Sequence, residues 1–161
     1  MYFKTLKADS RTLERNWPWP LPTLNVDGTQ TPGAWTPKVD GPVRCHSGYH
    51  GAQDEQLIDY LDQRLFVLEY RGDVENYGGE VNGSEARLVR EIVTWNERTA
   101  RLFAVYCARQ ALRLVDRPNP RSVKAVDAAE LFALEQVDAS ALTVVRHSVW
   151  EEAGVAHDTA M

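Results

Sequence analysis

The sequence has few cysteines, no long apolar run and no second cluster of metal-binding residues, and each shortage excludes a class of protein. Two cysteines, Cys45 and Cys107, are too few for a disulfide framework, and we expect both to be reduced thiols. No stretch approaches the roughly 18 continuous apolar residues of a membrane span. The first residues lack the apolar run of a signal peptide. These shortages predict a cytoplasmic protein that does not enter a membrane.

The composition is that of an ordinary globular protein rather than of a disordered chain. Of the 161 residues, 43% are hydrophobic and 25% are charged, and five are tryptophans. This length suits one domain, or one domain with a helical extension, and buries about 70% of the unfolded surface. We therefore expect a packed core that folds without disulfide bonds.

The first 42 residues predict one short strand and then a long structured loop. Residues Tyr2–Leu6 alternate between aromatic and polar side chains, as a strand does. Six of the eight prolines lie between residues 17 and 42, which excludes a helix or a central strand there. The same stretch holds Trp17, Trp19 and Trp35, and we expect these rings to be mostly buried against the rest of the domain.

The next fifty residues predict a small mixed sheet. Leu65–Tyr70 is the clearest strand, and Glu85–Val93 alternates as a second strand with one buried face, so the two favour a long hairpin. A glycine-rich acidic excursion, Asp73–Gly83, is predicted between them. Ahead of the hairpin we expect an extended segment at Val43–His46, a Gly-Tyr-His turn, and a short helix capped by Asp54.

The back half predicts three helices. Asn96 caps a first helix that ends near Asp116, and Asn119-Pro120 starts a second that reaches about Gln136. A third is predicted at Ser140–Ala153. In the first helix, an apolar face is formed by Ala100, Phe103, Cys107, Ala111 and Leu114. The predicted fold is therefore α+β: residues 1–95 form an α+β domain, and residues 96–161 form a helical region packed on it, or both form a single domain.

Two stretches of the sequence resemble known proteins. CHSGYHGAQDEQLIDYLDQRLFVLEYRGDV is similar to an uncharacterised family from phages and actinomycetes that has a cysteine followed by a Gly-aromatic-His turn, a short helix and a strand. The matching positions are Cys45, Gly48, Tyr49, His50, Leu57 and residues 65–72. The helical region from WNERTARLFAVYCARQAL onward resembles immunity-type proteins. The resemblance implies an intracellular protein of mobile elements or their hosts, supports a helix at 140–153, and transfers no catalytic residue.

Cys45, His46 and His50 place three potential metal ligands within six residues. Zinc needs a fourth ligand, and no second cysteine pair supplies it, so we expect no metal. A Cys-His nucleophile is also disfavoured, because neighbouring residues of an extended segment point to opposite faces. Cys45 and His50 can meet only across the turn. We expect no bound cofactor.

The order strand, Gly-Tyr-His turn, short helix and strand resembles the ADP-ribosyltransferase fold, in which an aromatic ring of the turn stacks beside the NAD cleft. That resemblance implies a catalytic glutamate on a later strand. Glu80, Glu85 and Glu91 are available, and no motif distinguishes among them.

A row of arginines follows one face of the first predicted helix: Arg98, Arg101, Arg109 and Arg113. Such a row can track phosphates, but the net charge of −5 and the lack of interleaved exposed aromatics favour pairing with protein, within the chain or in a partner. Residues 54–85 offer compensating charge, with nine acids against two arginines.

The sequence therefore favours a non-enzymatic protein of phage–host or immunity type that binds another protein, with nucleic acid a weaker candidate and no membrane partner. The alternative is an ADP-ribosyltransferase-like enzyme that uses NAD. The candidate binding residues are Tyr49, His50, Arg98, Arg101, Arg109 and Arg113.

Overall fold

A computed structural model describes residues 1–140 and 142–144 of the chain. The chain divides into two compact units, Met1–Asn96 and Glu97–Met161. Unit 1 contains all the described strands, and unit 2 contains the two long helices. Strands and helices therefore both contribute to the fold, as an α+β chain requires.

Unit 1 is built on a closed four-stranded barrel. Its strands are β1 (Tyr2–Leu6), β4 (Tyr49–Gln53), β5 (Arg64–Tyr77) and β6 (Glu80–Glu91), in the order β1-β4-β6-β5. Every pairing in it is antiparallel, so the prediction of a mixed sheet is wrong. Closure follows because β1 pairs with both β4 and β5. A separate hairpin joins β2 (Thr23–Leu24) to β3 (Gln30–Thr31).

The predicted hairpin is confirmed, but it is longer than the sequence indicated. Strands β5 and β6 pair from Phe66–Glu91 down to Tyr77–Glu80. Residues 73–83, predicted as an excursion, are therefore mostly strand. The turn is only Gly78-Gly79, with φ of 73° and 107°. Glycine and acidic residues disfavour strands in isolation, and long-range pairing overrides that preference here.

The barrel core consists of six buried side chains from four segments of unit 1: Leu6, Trp19, Phe66, Leu68, Ala86 and Leu88. Tyr70 packs against this core and donates a hydrogen bond from its hydroxyl to the carbonyl of Val81 at 3.2 Å. Burial raises the pKa of Tyr70 far above its ordinary value. The core is therefore a mixture of aliphatic side chains and large aromatic rings.

The proline-rich segment follows strand β6 as an extended chain. The N–H groups of Gly33, Thr36 and Val39 donate to carbonyls of β6 at 2.9 Å each. Trp19 is buried, with 5% of its surface exposed, and confirms the expectation for that ring. Trp17 and Trp35 are partly buried. The guanidinium groups of Arg71 and Arg87 lie over the Trp35 ring, 4.4 and 4.7 Å from its centroid.

The structure corrects the local predictions around the Gly-Tyr-His motif. Residues 44–46 form a turn rather than an extended segment, and Cys45 adopts a left-handed φ of 59°. Tyr49 and His50 are the first residues of β4, where a turn was predicted. The helix that follows is a 3-10 helix, Asp54–Tyr60, and its N-cap is Gln53 without a side-chain cap.

Unit 2 contains α1 (Glu97–Arg113) and α2 (Pro120–Ala133). The predicted start of α2 is confirmed, because the Asn119 side chain accepts a hydrogen bond from the N–H of Arg121. Of the helix predicted at Ser140–Ala153, residues 140 and 142–144 are helical, and the rest lies outside the described residues.

The packing face of α1 differs from the predicted apolar face. The one buried residue of α1 is Val105, which lies in the middle of the arginine row. Leu114, predicted to close the apolar face, is 87% exposed. The long aliphatic stems of arginine can cover apolar surface, so an arginine-rich face can also be a packing face.

Candidate binding cleft

Unit 1 carries a cleft of about 800 Å³. Its walls come from β1, the segment after it, the turn before β4, and the 3-10 helix. The residues that matter for its chemistry are Lys4, Glu14, Arg15, Trp17, Trp19, Tyr49, His50, Asp59, Tyr60, Asp62 and Glu80. The cleft thus combines three clustered aromatic rings with charges of both signs.

One wall of the cleft is an aromatic cluster. Trp17 and Trp19 meet edge to face with centroids 5.4 Å apart, and Tyr49 lies 5.6 and 5.7 Å from them. The Tyr49 hydroxyl donates to the carbonyl of Pro37 at 2.8 Å, which fixes the ring. Such pairs stabilise a fold by about 0.5–1.5 kcal/mol beyond their buried area. The ring contacts and the Pro37 hydrogen bond therefore hold the three rings of this wall together.

Lys4 points to the same side of β1 as Tyr2 and Leu6, because strand side chains alternate. Its ammonium group donates to the carbonyl of His50 at 2.9 Å and lies 5.6 Å from the centroid of the Trp19 ring. Burial lowers the pKa of Lys4 to about 8, and the charge of Glu14 partly opposes that change. At pH 7 an amine with a pKa of about 8 is in the neutral form for roughly one tenth of the time.

His50 faces the cleft as a neutral ring. Its Nε2 atom accepts a hydrogen bond from the backbone N–H of Cys45 at 3.1 Å, so Nδ1 carries the proton. Burial, and then the charge of Lys4, lower the pKa of His50. A carboxylate oxygen of Glu80 lies 4.0 Å from Nε2. That contact is not an ion pair, because Nε2 already serves as an acceptor.

Glu80 is held by Arg44 instead. The Nε and Nη2 atoms of Arg44 both donate to one carboxylate oxygen of Glu80, at 3.0 and 2.7 Å. The Glu80 side chain is 12% exposed, so its carboxylate is largely shielded from water. The carboxylate nearest to His50 is thus neutralised by a neighbouring residue.

The three residues considered for metal binding do not converge in the structure. Cys45 and His46 are exposed in the turn, whereas the Nε2 atom of His50 is occupied by the Cys45 N–H. Across residues 1–140 and 142–144, no group of three His, Cys, Asp or Glu side chains has the arrangement of metal ligands. The absence of a metal stays a prediction.

All three glutamates considered for transferase chemistry are ion-paired. Glu80 pairs with Arg44 at 2.7 Å, Glu85 with Arg71 at 2.5 Å, and Glu91 with Arg64 at 2.6 Å. Each pair joins side chains of unit 1, and the hydrogen bond from Arg71 lowers the pKa of Glu85.

The arginine row serves contacts inside unit 2. Arg109 on α1 pairs with Asp127, at 3.0 Å, and with Glu130, both on α2. Arg101 pairs with Glu97 and places its guanidinium 4.3 Å from the centroid of the Phe132 ring. Arg98 and Arg113 are exposed, and Arg113 donates to Gln110 at 3.3 Å. The row therefore joins α1 to α2 through two of its four members.

These contacts predict that Arg109→Glu destabilises unit 2. The new carboxylate would face Asp127 and Glu130, so attraction becomes repulsion, most strongly at low salt. We expect the helical signal in circular dichroism to melt several degrees lower than in the parent chain. Arg98→Glu makes the same charge change at an exposed position and should have little effect. Equal melting of the two variants would contradict the assignment of Arg109 to the helix pair.

The structure separates the predicted site residues into two groups. Tyr49 and His50 lie together in the cleft of unit 1, and Arg98, Arg101, Arg109 and Arg113 lie on α1 of unit 2. Sequence reasoning missed the cleft residues Lys4 and Tyr60 as members of a site, and it named Glu80 only as one of three candidate glutamates. One signal was present: Lys4 occupies the inward-facing register of an alternating strand, where a charged side chain is rare.

The chain was compared with models of known protein families, with curated proteins and with solved structures, and none of the three comparisons gave a match. The resemblance to the phage and actinomycete family and to immunity-type proteins therefore stays a prediction. In the part of the chain that the structure describes, no helix combines the length and apolar character that crossing a membrane requires.

Proposed function

We propose that this chain is a non-enzymatic binding protein whose cleft in unit 1 holds a short segment of another protein. The observation that carries the proposal is the cleft of about 800 Å³ beside the Trp17, Trp19 and Tyr49 cluster. Binding sites commonly have this size, and aromatic side chains are enriched where proteins recognise partners. The phage–host or immunity setting rests on the sequence resemblance alone.

The charges of the cleft suit a peptide better than a purely apolar ligand. Lys4 and Arg15 supply positive groups, and Glu14, Asp59 and Asp62 supply negative groups. A peptide offers backbone donors and acceptors as well as side chains of either sign, so it can satisfy such a lining. A wholly apolar ligand would leave these polar groups desolvated and unpaired.

The bonding of the acid–base groups supports binding rather than catalysis. The unprotonated Nε2 atom of His50 accepts a hydrogen bond from the Cys45 N–H, and the Glu80 carboxylate accepts hydrogen bonds from Arg44. A general base needs an available lone pair within reach of its substrate. Both groups instead stabilise the turn before β4 and the start of β6.

The test uses peptides selected from a displayed random library on the immobilised full chain. A synthetic peptide from the enriched set should bind with a micromolar Kd in a calorimetric titration. Tyr60→Ala should weaken it by at least about tenfold, or 1.4 kcal/mol, because aromatic side chains dominate binding energies. Tyr60 is 44% exposed, so its removal leaves the fold intact.

Tyr106→Ala is the matched control, because Tyr106 is a tyrosine of similar exposure, 59%, in unit 2. It should leave the Kd unchanged. Equal binding by both variants, or no enrichment above an unrelated protein, would refute the cleft as the binding site. A saturable rise in melting temperature with millimolar NAD, lost in Tyr49→Ala, would favour the enzyme alternative instead.

A further inference from the structure

We propose that Lys4 is a nucleophilic amine that captures a small planar aldehyde as an imine inside the cleft. Lys4 lines two cavities that share part of their walls: the large cleft and a pocket of about 70 Å³. Lys4, Thr5, His50, Tyr60 and Glu80 line both cavities. The amine is therefore placed on a β-strand at a fixed point of an existing cavity. This inference does not depend on peptide binding.

The surroundings of Lys4 fit a planar carbonyl compound. Trp19 lies 5.6 Å from the ammonium group, and its partners Trp17 and Tyr49 extend the aromatic wall along the cleft. A flat aromatic aldehyde can stack on such a wall while its carbonyl carbon reaches the amine. Aliphatic aldehydes of the same reactivity lack that contact and should be captured less well.

The reaction balances without an oxidant or a reductant. The lone pair of the neutral amine attacks the carbonyl carbon and forms the C–N bond as the C=O π bond breaks, and one of the two amine protons moves to the oxygen to give a carbinolamine. The nitrogen then loses its remaining proton, the hydroxyl leaves as water, and the C=N bond forms. Both protons of the amine thus leave with the carbonyl oxygen as water, so the step consumes no acid from the protein; His50 and Tyr60 line the same cavities.

The cleft that Lys4 lines also carries charged and titratable groups from several elements: Glu14 and Arg15 from the segment after β1, Cys45 and His46 from the turn before β4, Tyr49 and His50 from β4, Asp59, Tyr60 and Asp62 from the 3-10 helix and the residues just after it, and Glu80 from β6. Glu14 favours the ammonium form, but burial has the larger effect and lowers the pKa of Lys4. Lysines that are desolvated in this way are the ones that form Schiff bases in proteins.

The test labels the full chain with pyridoxal, reduces the imine with sodium borohydride, and locates the adduct by mass spectrometry. The chain has four lysines, Lys4, Lys7, Lys38 and Lys124. At pH 7 an amine of pKa 8 is about 300-fold richer in the neutral form than one at 10.5. A less basic amine is also a weaker nucleophile, so we expect Lys4 to react at least about tenfold faster than the other three.

The pH dependence and two variants complete the test. Labelling of Lys4 should rise with a midpoint near pH 8. Lys38 is the matched control, because its hydrogen bond to Asp40 raises its pKa and its labelling should therefore begin only at a higher pH. Lys4→Arg keeps the charge and removes the amine, so the adduct at position 4 should disappear, and any label that remains lies on the other amines of the chain. Lys38→Arg should label like the parent chain.

Even labelling of the four lysines, or a midpoint for Lys4 close to that of Lys38, would overturn the proposal. So would equal capture of pyridoxal and an aliphatic aldehyde such as butanal, because it would remove the role of the aromatic wall. These results concern the unmodified sequence, so they stand even if Lys4→Arg fails to fold. A chain that binds no selected peptide yet labels at Lys4 would separate this inference from the proposed function.

Discussion

Replacing Trp19 with alanine should lower the free energy of unfolding by about 3 kcal/mol. Trp19 is 5% exposed and belongs to the barrel core, so its removal leaves a large cavity and also deletes the contacts with Trp17, Tyr49 and Lys4. This loss of unfolding free energy should lie at the low end of the range for replacing a buried tryptophan with alanine. The reason is that the indole N–H has no acceptor among the described residues, so the substitution also removes an unpaired donor.

Urea denaturation monitored by circular dichroism measures this loss of stability. Two further variants provide comparisons for it. Trp19→Phe keeps most of the apolar surface and removes the unpaired N–H, so it should cost only about 1 kcal/mol. Leu24→Ala lies in the same proline-rich segment at 69% exposure and should stay within about 0.5 kcal/mol of the parent. A Trp19→Ala loss as small as that of Leu24→Ala would mean that the segment does not contribute to the core.

Replacing Gly83 with alanine should cost about 3 kcal/mol by overpacking the barrel. Gly83 on β6 faces the ring of Tyr70, and a methyl group there would overlap Cδ1 and lie 2.8 Å from Cε1. Tyr70 cannot move away easily, because its hydroxyl bonds to Val81 and its ring packs edge to face on Tyr2, 5.2 Å between centroids. The missing side chain at Gly83 therefore makes room for this ring.

A double-mutant cycle tests that explanation. In a Tyr70→Ala background, Gly83→Ala should cost much less, because the ring it would meet is gone. Gly78→Ala provides the comparison for backbone strain alone: its φ is 73° and nothing lies within 4 Å of the new methyl group. That variant should cost about 1 kcal/mol. An unchanged cost of Gly83→Ala in the absence of the Tyr70 ring would show that the strand backbone, not the ring, limits this position.

Local signals in the sequence predicted several elements well. Alternation marked β1, the apolar and aromatic run marked the first half of β5, and the Asn119-Pro120 pair marked the start of α2. The tryptophans of the proline-rich segment correctly indicated packing on the domain, most clearly at Trp19. These features depend on a few neighbouring residues, which is why they can be read without the fold.

The features that escaped prediction depend on distant pairing. Residues 74–77 and 80–83 read as a loop because glycines and acids disfavour strands, yet each pairs across the hairpin. Strand β4 begins at Tyr49 because it lies between β1 and β6, and the motif around it reads as a turn. Closure of the barrel and the meeting of Lys4 with His50 follow from those pairings, so the cleft could not be assembled from sequence alone.

The arginine row shows the same limit on the helical side. Its spacing was correct, but spacing does not say whether a charged face meets solvent, a partner or another helix. Val105 is buried in the middle of the row, and Arg109 bonds to two acids of α2. An assay that reverses Arg101 and Arg109 would therefore change the folding of unit 2 together with any partner binding.

The most direct test of the central claim, that the cleft of unit 1 binds a protein segment, is the set of indole N–H signals in a two-dimensional ¹H–¹⁵N NMR spectrum of the full chain. A peptide selected on the chain is titrated in, and each indole signal is assigned by tryptophan-to-phenylalanine substitution. Trp17 lines the cleft, whereas Trp35 contacts Arg71 and Arg87 and is not part of the cleft lining. We predict a saturable shift of the Trp17 signal and none for Trp35. A bound peptide that leaves Trp17 unchanged would contradict the assignment of the cleft.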